Sequence, residues 1–505
     1  MTDSDNSLLM KKLVIILCVI WLAMPAVMWA QTGVLPRSKA CEQNVDPDAV
    51  SRWIDTLMAL PGVEMHHIMV VRNGHVIAES HPSPFKATDL HTLYSCSKTL
   101  TSLAVGIAID ENRLRLTDRV ATFFPDKLPE QVSEELSNLT VEHLLTMSSG
   151  IVPDNSITRG TDWIRDWLAK PFDEQGRFRY DNMCTYTLSA IVQRVTGKKL
   201  LDYLKEKVFG PLGITEVDWE ESPDGTNTGA WGLRLQAESL AKIGMLIVNG
   251  GQWNGRRIVS RKWIETASAK HINYKYPGDT PTDNNQGYGF QMWRCLYPTA
   301  FRADGAFGQY IVMDPTKNLV VVMNGVAKNP SPELRATWNL LMPGVNDAPV
   351  ALSEKSERRL LRKCEGTALP HVGEGKKKAN KALLGDVFPI EANKFGYKTA
   401  EIVPVSKDRI LVRITKENGT EESIPHGFLR WEEGMSQVAP PFCDGPGYDG
   451  RDHIAGINND FGTAGSYGWN KSGELVINTY YTTWIVRRTL VVNHVTRTAR
   501  IEVNY

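Results

Sequence analysis

A serine and a lysine stand three residues apart at Ser95 and Lys98, in a segment that reads Ser-Cys-Ser-Lys. On a helix this spacing returns the lysine to the face of the serine one turn later. Burial lowers the pKa of an ammonium towards that of a usable base, and the positive end of a helix favours an alkoxide. The pair therefore predicts a serine nucleophile activated by a lysine.

The Ser-x-x-Lys spacing also occurs at Ser83 and Ser239, and about one or two matches are expected by chance in a chain of this size. A proline follows Ser83, with no helical pattern behind it. Ser239 and Lys242 are predicted on the exposed side of a helix. Only Ser95 meets the start of an apolar-periodic helix, predicted over residues 97–112, so it is the favoured nucleophile.

Ser95 and Lys98 alone would be interpreted as a helix N-cap and a solvated charge. A second motif favours the catalytic interpretation of this pair. Tyr180-Asp181-Asn182 is the one Tyr-x-Asn in the sequence and stands in a loop-like segment before a predicted helix. A tyrosine, whose ordinary pKa is ~10, acts as a base near neutrality only beside a cation such as Lys98. Tyr180 is therefore the candidate partner of Lys98.

With these motifs the chain resembles the class C serine β-lactamases, the DD-peptidases or penicillin-binding proteins, and the related esterases. These proteins carry Ser-x-x-Lys, then Tyr-x-Asn, then a glycine-containing strand motif. Residues 139–150, 195–198, 209–213 and 287–290 are also similar to family landmarks, and the resemblance covers about 63–323. It implies a β-lactamase- or transpeptidase-like α/β sandwich.

Carried over residue by residue, the resemblance implies that Ser95 attacks the acyl carbon while Lys98 and Tyr180 exchange its proton. It implies that Asn182 orients the substrate. The candidate for the third motif is residues 303–305, Ala-Asp-Gly. Gly305 would let the substrate lie against this strand, and the amide of Ala306 would join that of Ser95 in an oxyanion hole, where each donor contributes ~3 kcal/mol.

The third motif also bears on the substrate. Ala303 stands where the family has a lysine or histidine that helps to bind the carboxylate of penicillins and peptide termini. This departure argues against β-lactams, favours a carboxylic ester or small amide, and resembles the esterase and 6-aminohexanoate-oligomer-hydrolase branch. Water, an alcohol or an amine could take the acyl group, so acyl transfer stays open beside hydrolysis.

Two alternatives remain. The nearer one is a β-lactamase or D-alanyl-D-alanine carboxypeptidase. The other is a non-catalytic ligand-binding module with the same fold, against which Ser95, Lys98 and Tyr180 speak, because a binder does not need all three.

Other features are interpreted as structural. His143 lies in an apolar helical stretch, and a Lys-Ser-Gly triplet at 471–473 stands in a predicted hairpin turn, far from the place of the family motif. The acidic spacing at 444–452 indicates a turn-rich surface loop.

The chain has 505 residues, which is long for one core and predicts two domains. Strand-like and helical segments alternate over 31–349, which predicts an α/β body. A charged and then Gly- and Lys-rich region, 350–382, is predicted as a linker. Short β-runs with turns over 383–505 predict an antiparallel, barrel-like β domain.

Residues 1–30 are predicted as a signal peptide, whose functional part runs from about Met10 to Ala30. Lys11 and Lys12 precede an apolar run of signal-peptide length, and Ala30 offers a cleavage edge. The protein is therefore expected to be exported, periplasmic or secreted, with no stable membrane span after cleavage.

The charge balance bears on partners. With 57 basic and 57 acidic residues the formal net charge is zero, so nucleic acid is not an expected partner. The expected partner is a small-molecule ester or amide substrate. No His or Cys pair has metal-ligand spacing, so we expect neither metal nor organic cofactor.

Overall fold

The computed structural model describes residues 33–274, 281–328, 331–372, 385–441 and 453–504. The predicted signal peptide and the 444–452 segment lie outside these residues. Within the described ranges, no helix combines the length and apolarity that crossing a membrane requires.

The N-terminal domain is organised around an antiparallel sheet. Its strands are β1 (Val63–Arg72), β2 (His75–Ser80), β3 (His91–Thr92), β4 (Asp218–Trp219), β5 (Leu233–Leu235), β6 (Gln252–Trp253), β7 (Arg256–Arg257), β8 (Trp293–Arg294), β9 (Phe301–Gly305), β10 (Gln309–Asp314) and β11 (Leu319–Ala327). Six of them form one sheet in the order β2-β1-β11-β10-β9-β8, while β3, β5 and β4 form a small second sheet.

Helices cover both faces of the large sheet. They are α1 (Pro47–Ala59), α2 (Ser97–Asp110), α3 (Val120–Phe123), α4 (Glu134–Asn138), α5 (Val141–Leu145), α6 (Trp163–Leu168), α7 (Asn182–Thr196), α8 (Leu200–Leu204), α9 (Ala237–Val248), α10 (Arg261–Ser268), α11 (Pro332–Ala336) and α12 (Glu354–Gly366). Residues of β11 alternate between the two cores: Val320 packs with α2 and α9, and Val321 packs with α1. A strand buried on both faces is expected to be a continuous apolar run, and Leu319 to Met323 of β11 form such a run.

The helix predicted over 97–112 is confirmed as α2. Helix α7 begins at Asn182, because the side chain of Asp181 caps it. Helix α8 is followed by one π-helical turn, Lys205–Phe209.

The predicted linker, 350–382, is in part a helix of the N-terminal domain. α12 packs on α1, and the Glu357 carboxylate accepts hydrogen bonds from the backbone N–H groups of Cys41 at 2.9 Å and Ala40 at 3.3 Å. Leu360 and Cys364 form its buried face. The charged composition of this segment made its amphipathic pattern hard to recognise from the sequence. Residues 373–382 of the predicted linker lie outside the described residues.

The C-terminal domain is a nearly closed, barrel-like β sheet, as the sequence predicts. Its strands are β12 (Val387–Pro389), β13 (Tyr397–Ser406), β14 (Arg409–Lys416), β15 (Glu421–Phe428), β16 (Glu432–Ser436), β17 (Phe461–Trp469), β18 (Leu475–Tyr481), β19 (Arg487–Asn493) and β20 (Thr498–Asn504). Neighbouring strands are antiparallel except β15 and β17, and a bridge between Ile390 and Ala499 joins the two ends. Strand β19 starts at Arg487, after a turn that contains Trp484.

Candidate active site

Ser95 and Lys98 meet at the start of α2. Ser95 lies in a 3-10 turn, Tyr94–Cys96, that runs directly into the helix. The hydroxyl of Ser97 anchors this turn, because it donates to the carbonyl of Tyr94 at 2.6 Å and accepts from the backbone N–H of Leu233 at 3.3 Å. The half-buried Ser95 is thereby held above the buried side chain of Lys98.

The Lys98 ammonium contacts three oxygen atoms. Its Nζ atom lies 2.9 Å from Ser95 Oγ, 2.8 Å from Asn182 Oδ1 and 2.9 Å from the carbonyl oxygen of Ala230. Burial lowers the pKa of Lys98 to about 7, and the carboxylate of Asp181 opposes this shift. Near neutral pH a large fraction of Lys98 is therefore an uncharged amine that can accept the Ser95 proton.

Tyr180 lies on the other side of Lys98. The Lys98 Nζ atom is 4.8 Å from the centre of its ring, and Trp293 stacks on the ring at 5.8 Å between centroids and 27° between planes. Burial raises the pKa of Tyr180, although a hydrogen bond with Ser95 opposes the rise. Tyr180 is thus a phenol at neutral pH, suited to relay a proton, and Lys98 is the better base.

The start of α7 places Tyr180 and Asn182 on either side of the helix cap. The Asp181 side chain accepts hydrogen bonds from the backbone N–H of Met183 at 2.9 Å and from Trp167 Nε1 at 2.9 Å. The Asn182 side chain accepts from Lys98, so it orients the lysine; its predicted contact with substrate stays a prediction.

Gly305 brings the end of β9 against the segment that leads to Ser95. A Cβ atom on Gly305 would lie 2.3 Å from the carbonyl oxygen of Leu93, a distance that side chains do not tolerate. Only glycine permits this approach. The next residue, Ala306, is the predicted second oxyanion donor, and this role stays a prediction.

The strand that carries Ala303 does hold a cation, but at the neighbouring position. Ala303 is buried among apolar side chains that include Leu93 and Cys96. The Arg302 guanidinium is fully buried and paired with Asp304, with its Nε atom 2.8 Å from Asp304 Oδ2. Its remaining N–H groups donate to Asn284 Oδ1 and to backbone carbonyls. Arg302 is therefore committed to the protein and cannot replace the missing cation.

The two other Ser-x-x-Lys matches lie away from this constellation. Ser83 exchanges backbone hydrogen bonds with residues 367 and 369, after α12. The prediction of an exposed Ser239 and Lys242 is wrong, because both are 5% exposed on α9. The residues before α1 cover this helix, and Lys242 donates to the carbonyl of Gly33.

The remaining sequence features have structural roles. His143 accepts from the backbone N–H of Thr140 at 3.2 Å in a capping box. The 471–473 triplet lies in the turn between β17 and β18. Among the described residues, no group of three or more His, Cys, Asp or Glu side chains is placed to hold a metal ion.

Sequence reasoning missed two contributors to the site. Ala230 supplies a carbonyl to Lys98 from a turn in which Gly229 has φ of +66° and its Cα lies against α7. Trp293 supports the ring of Tyr180 from β8. The sequence signals for these two residues are weak. Trp293 follows shortly after the 287–290 landmark, and Ala230 lies between two glycines.

The chain is similar to several known proteins. The family model described as Beta-lactamase matches residues 50–341, more than half of the chain. The 6-aminohexanoate-dimer hydrolase of Paenarthrobacter ureafaciens is 27% identical over 302 residues, 55% of this chain and 76% of the relative. A Beta-lactamase of Escherichia coli K12 is 22% identical over 51% of this chain and 81% of its own length.

Among solved structures, the fold is similar to that of a candidate β-lactamase from Bacteroides dorei DSM 17855. The TM-score is 0.51 at 18% identity, and the match covers 59% of this chain and 99% of that one. The family model ends before the C-terminal domain begins.

Proposed function

The chain belongs to the Beta-lactamase family, whose members are serine hydrolases, and from this premise we propose that it cleaves a carboxylic ester or small amide through an acyl-enzyme on Ser95. The observation that carries the proposal is the 2.9 Å contact between Lys98 Nζ and Ser95 Oγ at a lysine whose pKa burial lowers to about 7. A buried amine with a lowered pKa, in contact with a serine hydroxyl, is placed to act as the base for that serine.

In the acylation step, Ser95 Oγ attacks the carbonyl carbon and its proton passes to the amine of Lys98. The tetrahedral oxyanion is bound by the amides of Ser95 and Ala306. When the bond to the leaving group breaks, the proton held by Lys98 reaches the leaving oxygen or nitrogen through the Tyr180 hydroxyl. Water then attacks the acyl-serine by the same route in reverse and releases the acid.

The charges around β9 favour substrates that carry no carboxylate next to the scissile bond. The side chain of Asp304 is 22% exposed, whereas that of its partner Arg302 is 0% exposed. The outer end of this ion pair is therefore negative. A substrate carboxylate along the strand would meet a like charge where other family members present a cation, which supports esters and neutral amides over penicillins.

The relative named 6-aminohexanoate-dimer hydrolase supports the amide part of the proposal. Transfer is a second outcome of the same intermediate, because an alcohol or amine that replaces water would accept the acyl group. Partition of the acyl group between water and added alcohol, followed by product analysis, measures the share of each route.

We also propose that the protein works outside the cytoplasm. The support is the basic and apolar pattern between Met10 and Ala30. N-terminal sequencing of the protein isolated from cell fractions tests it: a chain that begins after Ala30 in the periplasm or medium agrees, and an intact leader in the cytoplasm contradicts it.

The experiment for the main proposal is intact mass spectrometry after brief exposure to p-nitrophenyl esters or a penicillin. Wild-type protein, Ser95→Ala and the exposed-turn control Ser472→Ala are compared. We expect an ester-derived adduct or turnover in wild type and control, and neither in Ser95→Ala. Penicillin adducts alone would favour a β-lactamase or D-alanyl-D-alanine carboxypeptidase, and no reaction with either would favour a binding module.

A further inference from the structure

Two residues next to the candidate oxyanion donors have unusual backbone conformations. Tyr94 precedes Ser95 and has φ of +47°, and Phe307 follows Ala306 and has φ of +66°. Bulky side chains rarely adopt this left-handed region, and they stay there only when surrounding contacts enforce it. The two rings meet edge to face, 5.3 Å between centroids and 66° between planes.

The surrounding contacts come largely from the C-terminal domain. Tyr94 and Phe307 pack against a buried group that we call the interdomain cluster. It consists of Val326 from β11 and, from the C-terminal domain, Ala439, Ile454, Ile457, Phe461, Tyr481, Trp484, Ile485 and Val486. The family match ends at residue 341, so this support lies almost entirely outside the matched region.

Backbone hydrogen bonds tie the same region to the C-terminal domain. The N–H of Thr92, two residues before Tyr94, donates to the carbonyl of Thr483 at 3.1 Å. The segment 453–460 docks beside β4, where the N–H of Glu221 donates to the carbonyl of Ala455 at 2.9 Å. The C-terminal domain therefore holds the segment that leads to Ser95.

A buried ion pair receives the docked segment. Arg234 is 1% exposed, and its Nε atom lies 2.8 Å from Asp218 Oδ1. The backbone of Asn458 completes the pair: its carbonyl accepts from Arg234 Nη2 at 2.5 Å and its N–H donates to Asp218 Oδ2 at 3.0 Å. The docked backbone thus adds one hydrogen bond to each member of the ion pair.

We propose that the C-terminal domain is a positioning element of the active site, which holds Tyr94 and Phe307 and thereby fixes the oxyanion donors of Ser95 and Ala306. The inference rests on the proposed function. Without the cluster the two left-handed residues would relax. Relaxation of Tyr94 would turn the 94–95 peptide that carries the Ser95 N–H, and relaxation of Phe307 would shift the backbone of Ala306, which precedes it. Oxyanion stabilisation requires donors at 2.7–3.1 Å, so small displacements are costly.

Two glycines of the C-terminal domain provide a matched test in the full chain. Gly456 and Gly473 have φ of +83° and +75°, so alanine is similarly strained at both. At Gly456 a Cβ atom would lie 2.4 Å from the carbonyl oxygen of Trp219 in the N-terminal domain, whereas at Gly473 it meets nothing within 4 Å. Gly456→Ala therefore pushes the docked segment away, and Gly473→Ala does not.

The readout is the single-turnover acylation rate with a p-nitrophenyl ester, per active site titrated with a fluorophosphonate. We expect Gly456→Ala to acylate about tenfold to a hundredfold more slowly at an unchanged substrate dissociation constant, and Gly473→Ala to match wild type. Equal rates in both variants overturn the positioning role. Absence of labelling in all three proteins overturns the proposed function as well, so the two failures are distinguishable.

A second pair covers the case in which Gly456→Ala does not fold. Ile454 in the interdomain cluster and Ile402 in the barrel core are both 0% exposed. Ile454→Ala and Ile402→Ala create similar cavities, and only the first is expected to slow acylation. Ile454→Val should restore most of the rate. Similar losses in Ile454→Ala and Ile402→Ala would show a general stability effect and contradict the proposal.

Discussion

The Nζ atom of Lys98 lies 2.9 Å from the Oγ atom of Ser95, at a position that is 1% exposed. The protein thus keeps an amine out of water beside the hydroxyl it is proposed to deprotonate. Isolation from solvent lowers the pKa of Lys98 to about 7 and makes it a base at neutral pH.

We first expect the acylation rate to rise with pH around a midpoint near 7. Below the folded pKa of Lys98 the amine is protonated and cannot accept the Ser95 proton; above it the amine is free. Pre-steady-state acylation by an ester between pH 5.5 and 9 measures the profile. Lys98→Arg keeps a cation but loses the base, so we expect acylation about 10²–10⁴-fold slower. A midpoint near 10 would contradict the assignment.

The Tyr180→Phe variant tests the role of the hydroxyl separately from the role of the ring. The ring would keep its contact with Trp293, so stability should change little, while kcat should fall about 10²–10⁴-fold through loss of the proton relay. Tyr186→Phe is the control, since this hydroxyl hydrogen-bonds with Ser222 at 3.0 Å and Asp224 at 3.2 Å rather than with the candidate catalytic residues. It should cost about 1–3 kcal/mol of stability and leave kcat unchanged. Equal kcat values for the two variants would remove Tyr180 from the mechanism.

Gly305→Ala should disable the site by displacing β9 from the segment before Ser95. The added Cβ atom would lie 2.3 Å from the Leu93 carbonyl, so the strand must move and the Ala306 amide moves with it. We expect kcat/KM for esters to drop about a hundredfold or more. Gly366→Ala, where a Cβ atom meets nothing within 4 Å, should behave as wild type. Normal turnover by Gly305→Ala would show that this close approach is dispensable.

Acid should destabilise the protein through a buried histidine pair. His91 Nε2 lies 2.9 Å from His66 Nδ1, and burial lowers the pKa of His91 to about 3 from 6.5. The folded state binds fewer protons than the unfolded state in this window, so stability is complete above about 6.5 and is lost as pH falls towards 3. One such histidine costs about 2 kcal/mol between pH 6.5 and 5.

Urea unfolding of wild type and His91→Gln across this pH range checks the effect, with the exposed His494→Gln as control. The first variant should show a shallower decline of the free energy of unfolding with falling pH, and the second should follow wild type. Parallel declines in all three proteins would mean that other groups govern the acid response.

The candidate catalytic residues could be proposed from the sequence because their signals are local. Ser95 and Lys98 lie one helical turn apart, and Tyr180 and Asn182 flank a helix N-cap, so each pair needs only short-range spacing to be recognised. The α/β body and the barrel-like domain followed similarly from hydrophobic periodicity and turn residues.

Long-range packing decided the rest. The sequence could not show that the carbonyl of Ala230 accepts a hydrogen bond from Lys98, 132 positions away, or that Arg302 forms an ion pair with Asp304. Charged composition made α12 look like a linker, although one apolar face suffices to dock a helix. The same holds for Tyr94 and Phe307, because a left-handed backbone in a bulky residue is imposed by neighbours from distant parts of the chain, and no local pattern records those neighbours.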